Sequence, residues 1–290
     1  MRNFLVILVV ALTASTLWAD TAAQPSTDEE VSFPSESATA PVTGLDQWIK
    51  QVVFNLTLNQ AQFSNWAAGG SNSLAWQTGL NANLTRDTAG INWANSAKLT
   101  YGLTSIQDQD THISADLIDL ESVLAWKTWP QIYPFVSVAA LSQFGPGYDY
   151  TPTPAVQTSD FLDPGYFTEA VGLKYVPNSE FNTRLGLALK ETVANQFASI
   201  YKAGTQLGLN WVTELNHSFT KTSIFSSKLD VFYPDQGGSH SVSQWNNTLT
   251  CKFTKIINVS VEFDLRYDPI VTSNLQMLET LGVGFSFTLI

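Results

Sequence analysis

Residues 279–290 alternate almost without fault: Leu281, Val283, Phe285, Phe287 and Leu289 fall on one face, Gly282, Gly284, Ser286 and Thr288 on the other. A period of two is the side-chain repeat of an extended strand, so one side is a row of apolar groups and the other is small and polar. In water such a strand at a sheet edge would be an aggregation template. A closed transmembrane β-barrel removes the edge, satisfies every backbone group without water, and gives the two faces lipid and a wet lumen. The expectation is that Leu281 to Leu289 face lipid, Gly282 to Thr288 face the lumen, and the strand closes against Val52 to Leu58.

Other segments carry the same pattern. Leu74, Trp76, Thr78, Leu80, Ala82 and Leu84 alternate with Ala75, Gln77, Gly79, Asn81, Asn83 and Thr85; Phe181, Thr183, Leu185, Leu187 and Leu189 alternate with Asn182, Arg184, Gly186, Ala188 and Lys190. Val259, Val261, Phe263, Leu265 and Tyr267 alternate with Ser260, Glu262, Asp264, Arg266 and Asp268. A soluble sandwich would need a second apolar layer where these strands carry charge and amides. Reading on from about residue 50 gives about twelve strands, an all-β antiparallel transmembrane barrel. Their links alternate long and short. Long ones are expected at 65–72, 107–115, 145–165, 194–202, 234–242 and 269–278, which in outer-membrane barrels are the outer loops. The fifth strand, 131–144, alternates poorly and contains Pro134. Trp93, Trp126, Trp129, Tyr133 and Tyr175 are expected at the periplasmic rim, and Trp76, Tyr101, Tyr201, Tyr233, Trp245 and Tyr267 at the outer one. The runner-up is a ten-stranded barrel with the leader folded inside as a plug.

Hydrophobic residues make up 44% of the chain and charged ones 13%, too few charges for an ordinary soluble domain. Arg2, the apolar run from Phe4 to Leu12 and small residues ending at Ala19 have the layout of a cleaved signal peptide, assigned to residues 1–19. Residues 20–44, rich in Ser, Thr, Pro and acidic groups, read as a disordered periplasmic leader, and 45–290 as the barrel. Cys251 is the single cysteine, so neither an internal disulfide nor a lipid-bearing cysteine near the cleavage region is expected. A net charge of −11 argues against nucleic acid. The expected location is the outer membrane of a Gram-negative bacterium, as a monomer. The expected partners are outer-membrane lipid and, during biogenesis, the barrel-assembly machinery.

The segment Asn65-Trp66-Ala67-Ala68-Gly69-Gly70-Ser71-Asn72-Ser73, after Gln60-Ala61-Gln62-Phe63, resembles the signature of a Bacteroidota-type family, domain of unknown function 3078. The likeness would extend over roughly 45–290. It implies an outer-membrane barrel and brings no catalytic or ligand residues. Within the motif, Asn65, Trp66, Gly69, Gly70 and Asn72 are the candidates for fixing the first hairpin, since Gly69-Gly70 allow a tight reversal and Trp66 can anchor it. Outer-membrane barrels usually finish on an aromatic; here the apolar row ends at Leu289, with Ile290 on the lumenal parity.

With apolar faces outward, the lumen gains Lys98, Asp119, Glu121, Lys127, Lys174, Arg184, Lys190, Glu214, Lys228, Asp230, Lys252, Glu262, Asp264, Arg266 and Asp268. Both signs are present, which favours lumenal salt-bridge networks over a single-sign selectivity ring. The leading function is a narrow porin-like channel for a small solute, with a structural or adhesive barrel second. A lipid-acting hydrolase comes third, on the strength of His112-x-Ser114, for which no orienting acid can be assigned. No enzymatic activity, cofactor or metal is otherwise indicated: Asp108-x-Asp110-x-His112 lacks further ligands and a Gly turn. The stretch 145–165, with Tyr148, Tyr150 and Phe161, is long for a loop without secondary structure and is a candidate constriction or partner-binding surface.

Overall fold

The computed structural model describes residues 48–62, 71–150, 152, 154–235, 241–254, 256–269 and 271–288. The assigned signal peptide and leader, Asn65, Trp66, Gly69 and Gly70 of the loop motif, and Leu289 and Ile290 lie outside them; Asn72 lies just before the second strand.

In chain order the strands are β1 (Trp48–Ala61), β2 (Ser73–Asp87), β3 (Ile91–Ile106), β4 (His112–Trp126), β5 (Ile132–Ser142), β6 (Gly147–Asp149) and β7 (Val156–Ser159). There follow β8 (Gly165–Tyr175), β9 (Phe181–Val193), β10 (Gly204–Thr220), β11 (Ser223–Pro234), β12 (Val242–Lys252), β13 (Ile257–Tyr267) and β14 (Gln276–Thr288). One turn of helix, α1 (Ala198–Tyr201), precedes β10. Twelve strands close into a barrel with every pairing antiparallel; β6 and β7 form a separate two-stranded sheet. The barrel closes between β1 and β14, in a register that sets Val53 opposite Thr288 and Thr57 opposite Gly284. This is the closure the alternation of residues 279–290 predicts.

Direct cross-strand partners point to the same side of a sheet, so the register carries inside and outside from strand to strand. One outward row runs Leu124, Val136, Val171, Leu187, Leu209, Tyr233 across six strands. Val171, Leu187, Leu209 and Tyr233 are all exposed. An inward row runs Asn182, Glu214, Lys228, Asn246, Asp264. Barrel strands of 11 to 17 residues, tilted by roughly 40°, rise about 28 to 43 Å, enough for the ~25 Å apolar band of such barrels. An apolar skin around a polar interior, closed by an even number of antiparallel strands, is the build of an outer-membrane β-barrel.

Four details depart from the expectation. The link after β3 is only residues 107–111, because β4 begins at His112 and pairs from there with Thr104. The fifth strand is Ile132–Ser142 and accommodates Pro134 near its start, opposite Leu173. The 145–165 stretch is partly ordered by the β6–β7 hairpin. Tyr133, the second residue of β5, shares inward parity with Phe135 and packs on the buried cluster, so at that strand end it faces the lumen and not the lipid, its direct partner being the buried Lys174.

Three outward tryptophans bond to the barrel wall. Trp93 Nε1 donates to Ser122 Oγ (3.0 Å), which donates to Asn95 Oδ1 (2.8 Å), whose amide donates to the Leu84 carbonyl (3.2 Å). Trp245 Nε1 donates to Ser227 Oγ (2.9 Å), which donates to Asn247 Oδ1 (2.9 Å), whose amide donates to the Phe263 carbonyl (3.2 Å). Trp211 Nε1 donates to Thr183 Oγ1 (2.9 Å), itself 2.8 Å from Thr213 Oγ1. In each case the hydroxyl lies opposite the residue two beyond the Trp, where the pleat returns to the same face. An indole N–H facing hydrocarbon has no water to bond, and a cross-strand hydroxyl replaces it.

Candidate functional site

The lumen is crossed by an ion bridge. Glu121 on β4 meets Lys228 on β11 at 3.0 Å and also pairs with Arg184 on β9. β4 and β11 stand five places apart in the ring of twelve, so the bridge joins nearly opposite walls. Arg184 also reaches Glu214 on β10 at 3.6 Å, and Glu214 accepts a hydrogen bond from Asn182 Nδ2 at 2.9 Å. Lys174 lies directly opposite Arg184, so two buried cations stand side by side between Glu121 and Glu214. Like charges in direct register are tolerated only with such carboxylates at hand.

The wall beside this cluster is apolar on its inner side. Val123, Ala125, Phe135, Ala170 and Ala188 form a buried cluster there. Gly172 and Gly186 face each other across β8 and β9, and Phe135 lies opposite Gly172. A methyl at Gly172 would strike the Leu185 carbonyl, and one at Gly186 would strike the Val171 carbonyl, 2.7 Å away, and stand 3.2 Å from Phe135 Cζ. The two glycines let this part of the wall pack tightly under the Phe135 ring.

Two cavities meet at the bridge. One, of about 110 Å³, is lined by Tyr166, Lys190, Asn210, Asp230, Phe232 and Arg266; the other, of about 140 Å³, by Asn81, Asn83, Lys98, Glu214, Asn216 and Thr248. Asp119, Glu121, Lys228, Gln244 and Asn246 belong to both. In the first, Lys190 Nζ stands 5.2 Å from the Tyr166 ring centre and 5.6 Å from that of Phe232, with Arg266 5.5 Å from Tyr166. Asp230 accepts from Asn210 Nδ2 at 2.6 Å.

The predicted lumenal residues fall into separate groups. Glu121, Arg184 and Glu214 sit in the transverse cluster, and Lys98, Asp119, Lys190 and Arg266 line the cavities. Glu262 and Asp264 lie opposite Thr248 and Asn246, on the same inner side. Lys252 stands at the end of β12 opposite Asn258, and buried Asp268 follows β13 with its carboxylate 3.9 Å from Arg266. Lys127 closes the short-turn end of the wall on Asp87 (2.7 Å), which also accepts from Asn92 (3.0 Å). Tyr166, Phe232 and Asn210 were not singled out by the sequence reading. Their inward parity follows from the strand alternation, but an uncharged side chain on that parity carries no local signal that sets it apart from any other wall residue.

At the long-loop rim, Asp116 accepts from the Phe144 and Gly145 N–H groups (2.6 and 3.0 Å), and Asp163 from those of Asn195 and Gln196 (3.0 and 2.8 Å). His112 stacks on Tyr150, ring centres 3.8 Å apart and planes 12° apart. The His112 imidazole is thus engaged with an aromatic ring of the 145–165 loop. Among the described residues no cluster of His, Cys, Asp and Glu is placed to hold a metal ion.

The family model described as protein of unknown function (DUF3078) matches residues 58–148. This is the family that the Asn65–Ser73 segment resembles. A search of the curated proteins found no match. Among solved structures, the chain is similar to an outer-membrane channel from Pseudomonas putida F1, at 10% identity over 88% of this chain and 99% of that one, TM-score 0.41. It is similar to the translocator domain of the autotransporter NalP from Neisseria meningitidis, at 10% identity over 85% and 90%, TM-score 0.36. The Pseudomonas putida toluene transporter TodX is similar at 7% identity over 84% and 81%, TM-score 0.33.

Proposed function

We propose that this barrel is a narrow outer-membrane channel for small polar solutes, exported by a cleaved signal peptide, inserted by the barrel-assembly machinery and acting as a monomer. The observation that carries the reading is the pair of cavities, lined in part by charged and amide side chains, that meet at the Glu121–Lys228 bridge inside an apolar skin. A bridge made of side chains can open by rotamer changes that leave the backbone in place, so it narrows a path without sealing it as packed backbone would. Bridges of this kind suit slow, small-solute passage better than bulk diffusion.

Planar-bilayer recording tests it. Discrete conductance steps that grow when Glu121 is replaced by Gln support the channel; bilayers that stay silent with both proteins refute it. A second reading, a barrel without transport, is favoured by the transverse cluster itself, because Arg184 and Glu214 are buried and tie three strands into a structural brace. Silence together with a large loss of stability on breaking the cluster would select it.

A further inference from the structure

The lumen wall is divided by charge. Gln51, Val53, Asn55 and Thr57 point inward from β1, in direct register with Asn83, Asn81, Gly79 and Gln77 of β2. Ser96 and Thr100 continue this surface onto β3. Among the described residues, the inner sides of these three strands carry two charges: Lys98, directly opposite Asp119, and Asp87, held by Lys127 at the short-turn end. In the ring of twelve, β1, β2 and β3 stand six places from β9, β10 and β11. Those facing strands carry charges that already have partners. Arg184 pairs with Glu214 and Glu121, Lys228 with Glu121, and Asp230 accepts from Asn210. Lys190 lies near two rings, with Asp268 and Asp230 as counter-charges.

Burial shows which half of the bore is filled. β9 and β10 bury Asn182, Arg184, Ala188, Asn210, Val212 and Glu214, whereas no inward residue of β1, or of β2 before Asp87, is buried. Side chains that pack one half of a twelve-stranded bore leave the open space along the other. The larger cavity reaches this uncharged wall at Asn81, Asn83 and Ser96.

We infer that the path through the barrel runs along β1, β2 and β3 and takes uncharged polyhydroxylated solutes, the monosaccharide and polyol class. This rests on the channel reading and names its substrate. A hydroxyl donates and accepts, and a carboxamide does the same within one side chain, so such a solute exchanges its bonds to water for bonds to Gln77, Asn81 and Asn83. Side chains on one strand face recur about every 7 Å, so one group is in reach as the previous one is released. An ion on the same path gives up hydration beside a wall that offers it no opposite charge, while the charges on the facing strands are engaged with one another.

Flux of labelled glucose, gluconate and protonated glucosamine into proteoliposomes of the full barrel tests it, since the three probes are alike in size and differ in charge. Glucose is expected to enter at least fivefold faster than either ion. Gln77→Glu, which sets a carboxylate on the path, should raise glucosamine relative to glucose at least threefold. In a Cys251→Ser background, labelling Asn83→Cys with a bulky thiol reagent should cut glucose flux at least fivefold, and the same treatment of Ala188→Cys on β9 should leave it unchanged. Heat-modifiable migration checks that each variant is folded, and the three-probe comparison on unaltered protein decides the matter if a variant is not. Entry of either ion as fast as glucose, or glucose flux unchanged by labelling of folded Asn83→Cys, overturns the inference and leaves the channel standing. Entry of none of the three defeats both.

Discussion

Replacing Glu121 with Gln keeps the shape of the side chain and deletes the charge that holds two cations together. Glu121 and Arg184 are 10% and 3% exposed, so Arg184 would remain buried beside Lys174 with one carboxylate fewer. Removing one partner of a buried pair costs about 3–5 kcal/mol, most of it the uncompensated charge left behind. Two features reduce this here. Arg184 keeps Glu214 at 3.6 Å, and Lys228, 33% exposed, is solvated enough that losing its partner costs about 1 kcal/mol or less. The expected loss is about 2–4 kcal/mol, a shift of roughly thirty- to nine-hundred-fold in the folding equilibrium. Urea unfolding in lipid vesicles, followed by tryptophan fluorescence, measures it, and Lys228→Met, limited to the solvated partner, should cost far less. If Glu121→Gln left the midpoint unchanged, or Lys228→Met cost as much, the reading of Glu121 as the centre of a buried cluster would be wrong.

Three further outcomes are expected. Ser227→Ala removes the acceptor of Trp245 Nε1 and the donor to Asn247 on the lipid side, and should destabilise the barrel by about 1–3 kcal/mol in the same unfolding assay; Ser122→Ala should match it through Trp93 and Asn95. A Ser on the same face without an indole partner should cost much less. Gly172→Ala forces a methyl against backbone and should cost about 1–3 kcal/mol and lower the temperature at which heat-modifiable migration is lost; Gly90→Ala, with open space around it, should leave that temperature unchanged. In a Cys251→Ser background, Leu56→Cys with Phe285→Cys should cross-link under mild oxidation, because those residues are direct partners at the closure; efficient cross-linking of Leu58→Cys with Phe285→Cys instead would mean a shifted register.

The barrel was legible because lipid and lumen impose opposite chemistry on alternate residues. Leu281, Val283 and Phe285 announce an outward face with no knowledge of their neighbours, and the same rule puts Arg184, Glu214 and Lys228 inside. Tyr133 escaped it because an aromatic near a strand end suits a rim as well as a lumenal core, and only the pairing with Lys174 on β8 decides between them. The tryptophan anchors were hidden for a related reason. Ser122 and Ser227 sit 29 and 18 residues from their indoles, and nothing local to a serine tells which ring will stand beside it.

The sequence by itself determined parity: which side chains meet lipid, which meet the lumen, and that an even set of antiparallel strands must close to leave no backbone edge in hydrocarbon. Only the tertiary structure decided who meets whom across the lumen. Glu121 and Lys228 are 107 residues apart and on nearly opposite walls, and their contact depends on how far each strand is staggered around the barrel. Stagger arises from the pairing of all twelve strands together, so no single strand encodes it. The same cause brings Asp119 and Lys190, from β4 and β9, to the wall of one cavity.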